Sequence, residues 1–131
     1  MDSADEINSI LATLADAWRR GDGAGFAAAF AEDADFINIL GMYTQGRSQI
    51  GAWHDQLFRG IYAGTAAVFS LKSFRKLSDD VTHMLVASVL DVPAGPRAGR
   101  IETIANGVLV RNAGRLEIAA FHNTRIVPPG G

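Results

Sequence analysis

Near Gly64 the hydrophobic period of this chain changes from that of a helix to that of a strand. Before that point, apolar residues recur every three to four positions. Ile7, Ile10, Leu11, Leu14 and Trp18 form one stripe, and Ile50, Trp53, Leu57, Phe58 and Ile61 form another. Beyond it, apolar residues alternate along four long runs, about Ala66–Lys76, Val81–Val92, Arg100–Arg111 and Arg115–Ile126. A helical stripe and an alternating strand cannot substitute for one another, because each buries a face only at its own period. Helices first and strands later predicts an α+β fold.

The helical half divides at glycines. The first helix is expected from about Ala4 to Arg20, opened by a Ser3–Glu6 capping box and stopped by Gly21. Asp22 can cap a second helix to about Ala31, with Phe26 and Phe30 on one buried face. Gly21-Asp22-Gly23-Ala24-Gly25 superficially resembles a phosphate loop, but it joins two helices rather than following a strand, and reads as a linker. A strand is expected from Asp35 to Leu40, then a short extended piece from Met42 to Gln45. A third helix should run from about Arg47 to Tyr62. The breaks in the β half are Ser78-Asp79-Asp80, Pro93–Gly99 and Asn112-Ala113-Gly114. All suit hairpins, so the sheet should be mainly antiparallel.

Two strands are apolar on both faces. Val81, Leu85, Ala87 and Val89 alternate with Met84, Val86 and Leu90, while Leu116, Ile118 and Ala120 alternate with Ala119 and Phe121. A solvated antiparallel sheet keeps one polar face. Three helices cover only one side, so a homodimer through the other is expected.

Composition narrows the function classes. The chain has 131 residues, a length that fits one domain, with residues 127–131 a loose tail. A net charge of −2 offers no footprint for nucleic acid. No cysteine is present, which excludes disulfides, thiolate nucleophiles and cysteine-based metal centres. The acidic start does not read as a secretory signal, and no apolar run approaches a membrane span, so a cytoplasmic setting is expected. No dinucleotide fingerprint, nucleophile elbow or short His-x-x-x-His spacing occurs, so neither cofactor nor metal is expected.

Four motifs carry a resemblance that spans nearly the whole chain. Ala17-Trp18-Arg19-Arg20-Gly21-Asp22 closes the first helix, and Phe30-Ala31-Glu32-Asp33-Ala34-Asp35-Phe36 leads into the first strand. Gly46-Arg47-x-x-Ile50 opens the third helix, and Gly114-Arg115-Leu116-x-Ile118 through Phe121-His122-Asn123-Thr124 forms the last strand. With them the chain resembles the nuclear-transport-factor-2-like and SnoaL-like superfamily, which includes the ketosteroid isomerases. His54 and the closing Phe-His-Asn-Thr most resemble the SgcJ/EcaC-type subfamily, an oxidoreductase by label. The resemblance implies a cystatin-like cone: three helices on a curved, mainly antiparallel mixed sheet, with an apolar pocket for a small molecule. It also implies where the isomerase machinery would fall. The catalytic base falls on Asn38, the helix-one tyrosine on Leu14 and the second acid near Asn106. Asparagine cannot accept a proton near neutral pH and leucine cannot donate a hydrogen bond, so that mechanism is not expected.

The remaining acid–base candidates are His54, beside the apolar stripe of the third helix, and His122, on the face shared by Ile118 and Ala120. Alternation fixes which residues share a face and leaves open which face is inside. If that face is concave, His122 enters the pocket and Asn123 points away. Both histidines also read as structural hydrogen-bonding groups, and His83, behind a polar turn, reads as exposed. Asn38, Trp18, Phe36, Met42, Phe58 and Asn106 are the candidate substrate contacts. The expected function is binding of a partly apolar organic molecule, with acid–base isomerisation, cyclisation or dehydration through the histidines. The alternatives are a non-catalytic binding or accessory protein using the same pocket, an SgcJ/EcaC-type oxidoreductase by label, and a purely structural dimerisation module.

Overall fold

A computed structural model describes residues 2–96 and 98–130. Met1 at the acidic start, Arg97 in the long loop and Gly131 at the tail lie outside the described residues. The elements are α1 (Ser3–Arg20), α2 (Gly23–Ala27), β1 (Phe30–Ile37), β2 (Tyr43–Gln45), α3 (Arg47–Arg59), β3 (Ala67–Lys76), β4 (Val81–Val92), β5 (Gly99–Asn112) and β6 (Arg115–Arg125). The architecture is the expected cystatin-like α+β fold, three helices and a curved mixed sheet.

Local physics sets the helix ends. The cap of α1 is Asp2, not Ser3: its carboxylate accepts from the Asp5 amide at 2.9 Å. Glu6, expected in a capping box, instead reaches Arg111 on β5 through two hydrogen bonds of 2.7 and 3.1 Å. That partner is 105 residues away in sequence, beyond any local rule. Gly21 ends α1 in the left-handed conformation (φ 67°), where its N–H bonds the last-turn carbonyls. Asp22 caps α2 as expected, through the Gly25 amide at 2.9 Å. The helix stops at Ala27, short of Ala31, and Phe30 becomes the first residue of β1. Phe26 and Phe30 still meet, with ring centroids 5.6 Å apart.

The six strands lie in the order β2-β1-β6-β5-β4-β3. Every pairing is antiparallel except β1 with β6. The hairpins β3–β4, β4–β5 and β5–β6 follow the three turn signals. At the β5–β6 turn, Ala113 (φ 51°) and Gly114 (φ 80°) both take positive φ, the geometry that suits strand twist. The β1 strand starts five residues earlier than alternation predicts, with an irregular register against β6 between Phe30 and Asp35, and it stops at Ile37, where the hydrogen bonds of Asn38 turn the chain back toward β2. Leu40, expected at the strand end, sits in the following turn and is exposed.

Two β-bulges curve the sheet. Along β3, Leu71 pairs with Val86 and Ser73 with Leu85, so Lys72 is the extra residue. Along β6, Leu109 pairs with Ile118 and Val108 with Ala120, so Ala119 is the extra residue. A bulge bends its strand and shifts the side-chain alternation beyond it by one. The concave face carries the core: Ile7, Leu14, Phe30, Ile50, Met84, Leu109 and Ile118 are fully buried between helices and sheet. The opposite face holds partly exposed Leu85, Ala87, Val89, Ile104, Val108 and Ala120.

Candidate functional site

At one end of the concave face the helices and the sheet leave a cavity of about 220 Å³. Trp18 of α1 is its aromatic hub. The Trp18 ring meets Phe58 at 5.0 Å, Tyr62 at 5.9 Å, Phe26 at 6.0 Å and His54 at 6.2 Å between centroids. Its Nε1–H donates to Thr65 Oγ1 at 3.0 Å, and that hydroxyl donates to the Tyr62 carbonyl at 2.7 Å. The indole is thereby fixed, since a buried N–H without a partner would be costly.

His54 is placed by α3. Arg47, at the start of that helix, donates to the Phe30 carbonyl at 2.9 Å and to the buried Glu117 carboxylate at 3.1 Å. Two helical turns on, His54 reaches the cavity wall with only 2% of its surface exposed. Its ring stacks on Phe26 at 4.2 Å and meets the edge of Phe36 at 5.1 Å. Nδ1 lies 2.8 Å from the Ile50 carbonyl. A carbonyl can only accept, so Nδ1 carries the proton and Nε2 keeps a free lone pair. Burial among aromatic rings drives the imidazole pKa from 6.5 down to about 4, outweighing the Ile50 carbonyl bond and the Asp55 charge. His54 is therefore a neutral ring with an acceptor atom at pH 7.

The sequence candidates divide. Trp18, Phe36, Asn38, Met42 and His54 line the cavity. Asn38 works chiefly for its own loop: its Oδ1 accepts the amides of Leu40 at 2.9 Å and Met42 at 3.0 Å. Phe58 is buried behind the Trp18 ring and does not line the cavity. Asn106 and His122 belong to the other side of the sheet. Asn106 Oδ1 is 2.9 Å from His83 Nε2, and His122 is its exposed cross-strand neighbour. The bulge at Ala119 is the reason. Ile118 faces inward, but beyond the bulge Phe121 and Asn123 face inward and His122 outward. The concave side therefore receives the asparagine expected to point away.

Several lining residues were missed. Asn123 and Trp53 each hold a buried polar atom, Oδ1 and Nε1, without a hydrogen-bond partner among the described residues. Ser88 and Thr103 are cross-strand partners whose hydroxyls bond each other in the cavity wall. A signal for these two was present. Ser88 interrupts Met84, Val86 and Leu90, and Thr103 interrupts Ile101 and Ala105, each on an otherwise apolar inward row. Leu40, Met42 and Ile61 stand 57%, 46% and 46% exposed at the rim, giving an apolar mouth. Among the described residues no three His, Asp or Glu side chains come together as metal ligands, and no helix is long and apolar enough to cross a membrane.

Compared with known proteins, the chain matches no protein-family model and no curated protein. Solved structures do match. A cystatin-like domain of unknown function from Nostoc punctiforme is 30% identical over 98% of this chain and 81% of its own, with a TM-score of 0.86. The chain belongs to that cystatin-like family. An uncharacterised cystatin-like protein of Caulobacter vibrioides shares the fold at 23% identity and a TM-score of 0.82, over 97% of this chain and 92% of its own. A ketosteroid isomerase-like protein of Erwinia carotovora atroseptica shares it at 15% identity and 0.77, over 95% and 96%. Within the cystatin-like frame, the three positions implied for isomerase chemistry do not converge: Leu14 is wholly buried core, Asn38 binds its own loop, and Asn106 faces outward.

Proposed function

We propose that this chain is a binding protein for a small, partly apolar organic molecule, held at the mouth of the cavity between α1, α3 and the concave sheet. The observation that carries the reading is that cavity: about 220 Å³, walled by aromatic and aliphatic side chains, with a few polar atoms left unmatched. Sites for small molecules have this make-up. A thermal-shift screen of neutral aromatic and polyketide-like compounds tests it, because a ligand bound only by the native state raises the melting temperature. The rise should vanish in Ala67→Phe, which places a ring where Ala67 now lines the wall. Hits that persist unchanged in Ala67→Phe would place binding elsewhere.

Catalysis at the same site is the second reading, favoured by the free lone pair of His54 Nε2. Isomerisation, cyclisation or dehydration would route its proton through that atom, and a pKa of about 4 makes it a weak base at neutral pH. The SgcJ/EcaC-type resemblance, carried by Gly46, Arg47, Ile50, His54 and the Phe121–Thr124 ending, adds only an oxidoreductase label as a separate alternative. Turnover lost in His54→Phe with binding retained would establish it.

We also propose that two copies meet through the outer sheet face. Leu85, Ala87, Val89, Ile104, Val108 and Ala120 form a half-exposed apolar field there, uncovered by any helix.

A further inference from the structure

Among the described residues, the cavity lining contains the imidazole of His54 and no aspartate, glutamate, lysine or arginine. A carboxylate, phosphate or ammonium buried there would lose its hydration with no counter-charge to replace it. The ligand must therefore be neutral where it enters. Its polarity is fixed further by the donors and acceptors on the wall. His54 is nearly fully buried, its Nδ1 proton is committed to the Ile50 carbonyl, and Nε2 makes no hydrogen bond among the described residues. What this ring lacks is a donor. Asn123 Oδ1, buried and unmatched, also calls for a donor, whereas the unmatched Trp53 Nε1 calls for an acceptor. A hydroxyl can both donate and accept.

Size gives the third bound. An apolar cavity of roughly 150 Å³ accommodates benzene. At about 220 Å³, this one has room for one substituted ring or two fused rings and cannot enclose a four-ring skeleton. The stacked and edge-on rings around it, Phe26, Phe36, Trp18 and Phe121, favour a flat guest.

Resting on the binding reading above, we infer that the site selects neutral, hydroxyl-bearing compounds of one or two rings, with the hydroxyl donating its hydrogen bond to His54 Nε2. His54 is on this view the specificity-determining residue.

Three probes of matched shape separate the claims: 2-naphthol, naphthalene and 2-naphthoate, titrated into the full chain at pH 7 by tryptophan fluorescence and calorimetry. A hydrogen bond made out of water to a buried acceptor should favour naphthol over naphthalene on the order of tenfold, and naphthoate should bind least. In His54→Phe the two neutral probes should bind alike. Since a buried substitution can disturb folding, the wild-type protein supplies an independent readout. The ¹⁵N resonance of His54 Nε2 should move when naphthol is added and stay near its free position with naphthalene. Naphthalene binding as tightly as naphthol, naphthoate binding best, or an Nε2 resonance indifferent to naphthol would each overturn the selectivity and leave the pocket reading standing. Failure of all three probes to bind would remove both.

Discussion

A histidine buried in its neutral form makes a protein sensitive to acid, and here the size of the effect follows from one side chain. In the folded chain His54 takes a proton only near pH 4; its ordinary value is 6.5. Between those values the unfolded chain binds a proton that the folded chain refuses, so acid favours unfolding. The folded state has its full stability from His54 above pH 6.5, loses it as pH falls, and loses no more below about 4. Two and a half decades of proton affinity, at roughly 1.4 kcal/mol each, amount to about 3 to 4 kcal/mol. That is a large share of the margin of a small domain. Urea denaturation at pH 7.5, 6.5, 5.5 and 4.5, read by tryptophan fluorescence, should show wild type losing this contribution relative to His54→Phe. The comparison matters because every other ionisable group is common to the two proteins, so its contribution cancels. Parallel stability curves for the two proteins, or an NMR titration of His54 with a midpoint near 6.5, would refute the reasoning.

Four further perturbations test other parts of the fold. Glu6→Gln should cost about 1 kcal/mol at pH 7 in denaturant titrations, because the partly exposed bidentate pair with Arg111 is lost. The Arg111 hydrogen bond, more than its charge, holds the Glu6 pKa below the ordinary glutamate value, so the gap to wild type should close as pH falls through that lowered pKa. Ala113→Asn should stabilise the β5–β6 turn by about 1 kcal/mol, since asparagine tolerates the left-handed φ of 51° better than alanine; an unchanged melting temperature would contradict this. Leu14→Ala, at a wholly buried site under the sheet, should destabilise by about 3 kcal/mol by calorimetry. Val108→Arg, on the apolar outer face, should convert a sedimenting dimer to a monomer without changing the circular dichroism spectrum; a wild type that sediments as a monomer at micromolar concentration would refute the dimer.

The fold was legible because it depends on periods that few residues can disguise. The stripe of α1 and the alternation of β4 survive any local irregularity, and the hairpin breaks are short and rich in Asp, Asn and Gly. Boundaries suffered where tertiary contacts outvote local signals. Phe30 continues a helical pattern after Phe26, yet pairs with Ile118 as a strand residue. Glu6 completes a capping box on paper and is taken instead by an arginine from the far end of the sheet.

The site was legible on its helical side and illegible on its strand side, and the asymmetry has one physical source. On α3 the period carries Ile50 directly to His54, one turn on, and nothing intervenes. On β6 a single inserted residue, Ala119, exchanges the faces of everything after it. Ala119 and Ala120 are alike in size and polarity, so no side chain marks which of them is extra. The consequence for function is direct. Without the bulge, His122 would take the inward position that Asn123 now holds, and the cavity wall would gain a second imidazole. With it, Asn123 enters instead, and the wall gains an uncharged amide whose oxygen is unmatched. One backbone irregularity thus decides whether this wall of the cavity presents an imidazole or an uncharged amide.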